Sequence, residues 1–85
     1  MNKRLAVIGI IVEKPDAAEE VNDILHEFRE CIVGRMGIPY RERNMSVISV
    51  VVDSTNDTIS AISGKLGMVD GVTSKAVYAT SVLSH

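Results

Sequence analysis

The sequence has few cysteines and few aromatic residues. Of its 85 residues, one is a cysteine, none is a tryptophan, and aromatic residues make up 4%. A single cysteine excludes an internal disulfide framework. The core must therefore be aliphatic, and hydrophobic residues are abundant at 46% of the chain. This supply is generous for one small domain, and it suggests that some apolar surface is buried between subunits.

The sequence also lacks an excess of basic residues and a long apolar run. The net charge of −2 argues against direct binding of nucleic acid through a basic surface. No stretch approaches the roughly 18–20 apolar residues that span a membrane. The short apolar run after the basic start is followed by a predicted helix rather than by the small-residue cleavage site of a signal peptide, so we do not predict a signal peptide. We therefore predict a cytoplasmic protein with one domain, residues 1–85, comprising a core at 4–79 and a tail at 80–85.

The first strand, residues 4–12, is aliphatic on both faces. Alternation places Leu5, Val7, Gly9 and Ile11 on one face, and Ala6, Ile8, Ile10 and Val12 on the other. A strand with one wet face should alternate apolar with polar residues, so this pattern predicts a central strand that is covered on both sides.

The most distinctive stretch runs from Cys31 to Asp53, where β-branched residues predict strands over 31–38 and 45–53. Gly34 and Gly37 indicate a bulge or a close backbone approach in the first of these strands. Pro39 indicates a strand end or edge. The connection at 39–44 is interpreted either as a solvated basic tip or as a recognition loop. The candidate binding residues are Arg35, Met36, Gly37, Tyr40 and Arg41.

Two helices are predicted by apolar periodicity. The first has Pro15 in its first turn and runs to about Arg29, and the second covers about 56–66 with Gly67 as its C-terminal cap. The outer side of the first helix carries Glu19, Asp23 and Glu27, which form either a solvated face or a docking face for a basic partner. On the second helix, Ser60, Gly64 and Gly67 indicate either a weak helix or a side where another backbone or a ligand approaches closely.

The order of these elements, with a last strand at 72–79, is βαββαβ. It predicts an α+β, ferredoxin-like fold with a four-stranded antiparallel sheet and two helices on one face. The opposite face would then be bare and apolar, which predicts a homo-oligomer, either a dimer or a dimer of dimers.

Sequence signatures of catalysis and metal binding are missing. There is no phosphate loop, no dinucleotide fingerprint and no paired Cys or His spacing, and His26, Cys31 and His85 are scattered. No nucleophile stands beside a base. We therefore predict neither an enzyme nor a metal site or cofactor.

Four segments of the chain, residues 6–12, 33–42, 46–53 and 64–67, resemble a family of small bacterial proteins described as regulators of the iron-only hydrogenase system. The resemblance covers residues 3 to about 79, and the stretch 33–42 is its most specific part. It implies an ACT-like ferredoxin fold, similar to the effector-binding C-terminal domain of nickel-responsive repressors. It supplies no catalytic or ligand residues.

Two functional hypotheses follow from these observations. The first is a non-enzymatic, effector-binding regulatory module that acts as a homo-oligomer, in which the arginines of the distinctive stretch bind an anion or carboxylate, or contact a partner protein. The second is a structural or assembly accessory, working in maturation by protein contacts alone.

Overall fold

A four-stranded antiparallel sheet with two helices on one face forms residues 2–80, the part of the chain that this computed structural model describes. The elements are β1 (Lys3–Val12), α1 (Ala18–Glu27), β2 (Ile32–Tyr40), β3 (Met45–Thr55), α2 (Asn56–Gly67) and β4 (Val72–Tyr78). The strand order is β2-β3-β1-β4, with β1 and β3 in the centre. The predicted ferredoxin-like α+β fold is confirmed. Most of the predicted tail lies outside the described residues.

The helices decide which of the two aliphatic faces of the sheet becomes the core. Ala6, Ile8, Ile10 and Val12 of β1 are buried, while the alternate residues of the strand remain exposed. The buried face packs against both helices. Its partners are Val21 and Leu25 of α1, Ile59, Ile62 and Leu66 of α2, and Ile48, Val50 and Val52 of β3. The prediction that β1 is central is confirmed, but the described protomer covers only one side of it.

Strand β2 forms one edge of the sheet. Its pairing with β3 passes from Ile32 opposite Val52 to Gly34 opposite Val51, so Val33 is the extra residue of a β-bulge. Pro39 is tolerated because it lies on an edge strand, as predicted. The strand continues to Tyr40, two residues beyond its predicted end, so the connection to β3 is shorter than predicted. It consists of a 3₁₀ turn, Arg41–Arg43, and a left-handed Asn44 with φ 56°.

Helix α1 is preceded by a 3₁₀ turn, Pro15–Ala17, and a second such turn, Arg29–Cys31, follows Phe28. It therefore ends two residues before the predicted Arg29. Glu19, Asp23 and Glu27 are exposed on its outer side, and Glu27 forms an ion pair with Lys65 of α2 at 3.0 Å. Both partners of this pair are about half exposed, so solvent screens their interaction.

We expect Asp23→Asn to leave the free energy of unfolding unchanged or to raise it slightly. Asp23 stands four residues from both Glu19 and Glu27, and each like-charge pair at this spacing costs roughly 0.2–0.5 kcal/mol. Urea unfolding of the wild type and the variant at low and at high salt is the measurement, and any gain should shrink as salt screens the repulsion. A clear loss of stability would show that Asp23 makes a contact that the protomer does not contain.

Helix α2 begins at a side-chain cap, in which the Thr58 backbone N–H donates to the Thr55 hydroxyl at 3.2 Å. It includes Gly67 and is capped by Met68, so the prediction of Gly67 as the cap is wrong by one residue. A Cβ built at Gly64 or at Gly67 would meet nothing within 4 Å. The described protomer therefore offers no tight packing at these glycines. Among residues 2–80, no helix is long and apolar enough to cross a membrane.

The turn after β1 is joined to the turn before β4. Lys14 Nζ donates to Asp70 Oδ2 at 2.7 Å, and this contact raises the pKa of Lys14 and lowers that of Asp70. The Glu13 backbone N–H donates to the Gly71 carbonyl at 2.7 Å. Gly71 has φ +86°, and a Cβ there would stand 2.6 Å from Lys14 Cγ, so glycine is required at this turn.

Candidate functional site

The first candidate surface is the sheet face that points away from the helices, which we name the bare face. The register of the strands assigns its members, and no element of residues 2–80 covers it. The large apolar side chains of the bare face are Leu5, Val7, Ile11, Met36, Ile38, Val47, Val51 and Val77. Met36 is 64% exposed and Val77 is 68% exposed. The bare face thus presents a continuous aliphatic surface across all four strands.

The middle of the bare face has small residues. Gly9 pairs with Ser49 on one side and with Lys75 on the other. A Cβ on Gly9 would meet only the Lys75 carbonyl oxygen, at 4.0 Å, and Gly9 does not have a positive φ. Within the described protomer, neither the backbone nor the packing requires a glycine here. The bare face also has a depression of about 380 Å³ beside Gly34, Ser49 and Val51.

The second candidate surface lies on the helix side of the sheet, between α1 and β2, and we name it the β2 groove. Arg35 reaches across it, and its Nη2 donates to Asn22 Oδ1 of α1 at 2.7 Å. This partner is a neutral amide, so the bond holds the guanidinium in place without neutralising its charge. Within the described chain, no ion pair involves Arg35.

The walls of the β2 groove are mainly apolar. A cavity of about 180 Å³ is lined by Val12, Ala18, Asn22, Arg35, Gly37, Ile38, Pro39, Ser46 and Ile48. Gly37 lies on the same side of β2 as Arg35, and the absence of a side chain there opens the floor of the groove. A second cavity of about 130 Å³ continues past Ser46 to Arg41 and Asn44. The β2 groove therefore has Arg35 in its larger cavity and Arg41 in the smaller one.

The alternation of β2 divides the candidate residues that the sequence indicated. Arg35 and Gly37 lie in the β2 groove, and Arg41 lies at its end. Met36 and Tyr40 are on the opposite side of the strand, where they pair with Ser49 and Met45. The Tyr40 hydroxyl donates to Glu42 Oε1 at 2.9 Å. The structure therefore brings three of the five candidates to one groove and places the other two on the bare-face side.

Asn22 is the groove residue that sequence reasoning missed. It stands on the polar side of α1 between acidic residues, and its type gives no sign of a contact with a strand. Only the packing of α1 beside β2 reveals the contact. Ser46 also lines the groove, but an isolated serine in an aliphatic strand gives no sign of a binding role.

The remaining titratable and nucleophilic groups form no further centre in the described part of the chain. The half-buried Cys31 thiol lies 3.7 Å from the Ser54 hydroxyl, and its hydrogen bond to that hydroxyl includes no histidine. Among residues 2–80, no group of three or more His, Cys, Asp or Glu side chains is placed to hold a metal ion. His85 lies outside the described residues.

Comparison with known proteins identifies the family. A solved structure described as uncharacterized protein TM1266 from Thermotoga maritima is similar to this chain, with a TM-score of 0.86 and 45% sequence identity. The match covers 89% of this chain and 96% of that one. No curated protein matches the chain. The family model that matches residues 4–76 is described as "TM1266-like: Iron-only hydrogenase system regulator, putative". The predicted resemblance is confirmed, and the chain belongs to the TM1266-like family.

Proposed function

We propose that this chain is a non-enzymatic, cytoplasmic regulatory module of an iron-only hydrogenase system. It works as a homo-oligomer, and it responds to a small effector or to a partner protein. It makes no direct contact with nucleic acid or with a membrane. The family description supports the regulatory part of this proposal. The single observation that carries the oligomeric part is the aliphatic bare face.

The size of the bare face supports this proposal. Four strands about 4.8 Å apart, with roughly six residues of about 3.3 Å each, give a footprint of roughly 20 Å by 20 Å. A patch on this scale falls within the roughly 300–600 Å² of the largest apolar patch on a typical monomer, and such patches often have a function. Full burial of an exposed Val, Leu or Ile contributes roughly 1.5–3 kcal/mol. Val7 and Ile11 are each 40% exposed, so each contributes only part of that amount. The natural occupant is a second copy, whose bare face is equally apolar and self-complementary about a two-fold axis.

The outline of the bare face is typical of a subunit interface. Aliphatic side chains surround the small residues Gly9 and Ser49, while Lys3, Asp53 and Lys75 stand toward its margins. An apolar centre with a polar rim is the usual anatomy of an interface between proteins. Gly9 and Ser49 at the centre leave room for a close approach of the second copy. The unpaired edges of β2 and β4 offer a second interface, which would make a dimer of dimers.

We expect sedimentation velocity at micromolar concentration to give two or four times the chain mass of 9.2 kDa. The reason is that a monomer would leave the whole bare face in water. Circular dichroism on the same sample establishes that the protein is folded. A well-folded 9.2 kDa monomer would contradict the proposal. An accessory protein working by contacts alone would share the bare face but would need no effector site, so ligand binding separates these two functions.

A further inference from the structure

We infer that the β2 groove is a binding site for a small monocarboxylate with a short apolar body. This inference rests on the proposed regulatory function and names the chemical class of its effector. The carboxylate binds the Arg35 guanidinium, and the apolar body lies against the groove walls.

Arg35 is prepared for this contact. Its exposed hydrogen bond to Asn22 Oδ1, at 2.7 Å, restricts the side chain before a ligand arrives, so less conformational entropy is lost on binding. An arginine has five N–H donors in a planar fork, and one bond leaves the others free to bind both oxygens of a carboxylate. No ion pair within the described residues competes for this charge.

The groove walls select the rest of the ligand. Val12, Ala18 and Ile48 provide aliphatic surface, and Pro39 has no backbone donor. Ser46 adds a polar residue to this lining. The cavity of about 180 Å³ is below the roughly 300–1,000 Å³ of pockets for drug-sized ligands. The groove therefore suits a ligand of few heavy atoms.

The acidic side of α1 disfavours ligands of higher charge. Glu19 and Asp23 lie close in sequence to Ala18 and Asn22, the groove residues of the helix. Their carboxylates repel a phosphate or a polyanion more than they repel a single carboxylate. Arg41 lies at the far end of the groove and carries a second positive charge. It follows Arg35 by six residues, just past the end of the strand, so one small anion does not contact both arginines.

The test uses the whole chain, with butyrate as the probe and butyramide as its neutral counterpart. Titrations followed by amide chemical shifts should give saturable changes at Ala18, Asn22, Gly37 and Ser46 with butyrate. Butyramide, which has the same shape without the charge, should give none at the same concentrations. Inorganic phosphate should bind at least tenfold more weakly than butyrate.

Three variants sharpen this experiment. Arg35→Gln should abolish saturable butyrate binding, and Arg35→Lys should weaken it at least tenfold, because the charge remains while the fork is lost. Arg43→Gln is the matched control: it removes the same charge from the neighbouring turn, outside the residues that line the groove, and should retain the wild-type affinity.

The inference is overturned if butyrate causes no saturable shift at the groove amides. It is also overturned if Arg35→Gln binds butyrate as well as the wild type does, or if phosphate binds equally tightly. Sedimentation of the same samples keeps this result separate from the proposed function. An oligomer that does not bind butyrate refutes the monocarboxylate site and supports the proposed homo-oligomer. A monomer that binds butyrate supports the site and refutes the homo-oligomer.

Discussion

Ile8→Asp is expected to unfold the protein. Ile8 is fully buried at the centre of β1, where it pairs with Val50 on one side and with Ala76 on the other. An aspartate there would place a carboxylate against the aliphatic core without a partner, or would be forced to take up a proton. Unpaired buried charges are among the few causes of losses above about 4 kcal/mol. Such a loss approaches the roughly 5–15 kcal/mol that a whole domain possesses.

Circular dichroism and urea unfolding measure this effect. Ile8→Val is the matched control, because it removes one buried methylene at the same site, at a cost of about 0.5–1.5 kcal/mol, and should leave a cooperative transition. A native-like spectrum and a cooperative transition for Ile8→Asp would show that this side of β1 is not the core of the protein in solution.

The fold could be predicted from the sequence because its elements carry clear local signals. Pro15 before an apolar stripe indicates the start of α1, and the β-branched runs indicate strands. The assignment of the core face could not be predicted in the same way. Both sets of alternate residues in β1 are aliphatic, so hydrophobicity alone does not distinguish Ile8 from Val7. The distinction comes from the packing of α1 and α2 on one side of the sheet.

The sequence indicated candidate binding residues but not the faces of the sheet on which they lie. Arg35, Met36 and Tyr40 are close together in the chain, and a loop would have allowed them to converge. Because β2 continues through Tyr40, its alternation sends neighbouring side chains to opposite faces. The packing of α1 beside β2 joins Arg35 to a residue of α1 that is thirteen positions earlier, which no local pattern indicates.

Val7→Asp, one residue away from the core substitution, is expected to give a folded monomer. Val7 is 40% exposed at the middle of the bare face, between Val51 and Val77. In the protomer the new carboxylate can be hydrated, so the fold survives. In the proposed dimer it would be buried without a partner, which costs roughly 3–5 kcal/mol. At 1.4 kcal/mol per factor of ten, one such charge weakens association by at least about a hundredfold.

Sedimentation velocity across a concentration series, with circular dichroism on the same samples, measures this effect. Ala61→Asp is the matched control, because it adds the same charge at an exposed position of α2, on the opposite side of the sheet, and should retain the wild-type assembly. If Val7→Asp remains assembled like the wild type, the bare face is not the subunit interface. The contrast between Ile8→Asp and Val7→Asp is the decisive result. If β1 simply tolerated no charge, aspartate at either position would unfold the protein. If one face of the sheet is the core and the other binds a second copy, aspartate at Ile8 prevents folding, while aspartate at Val7 prevents only association.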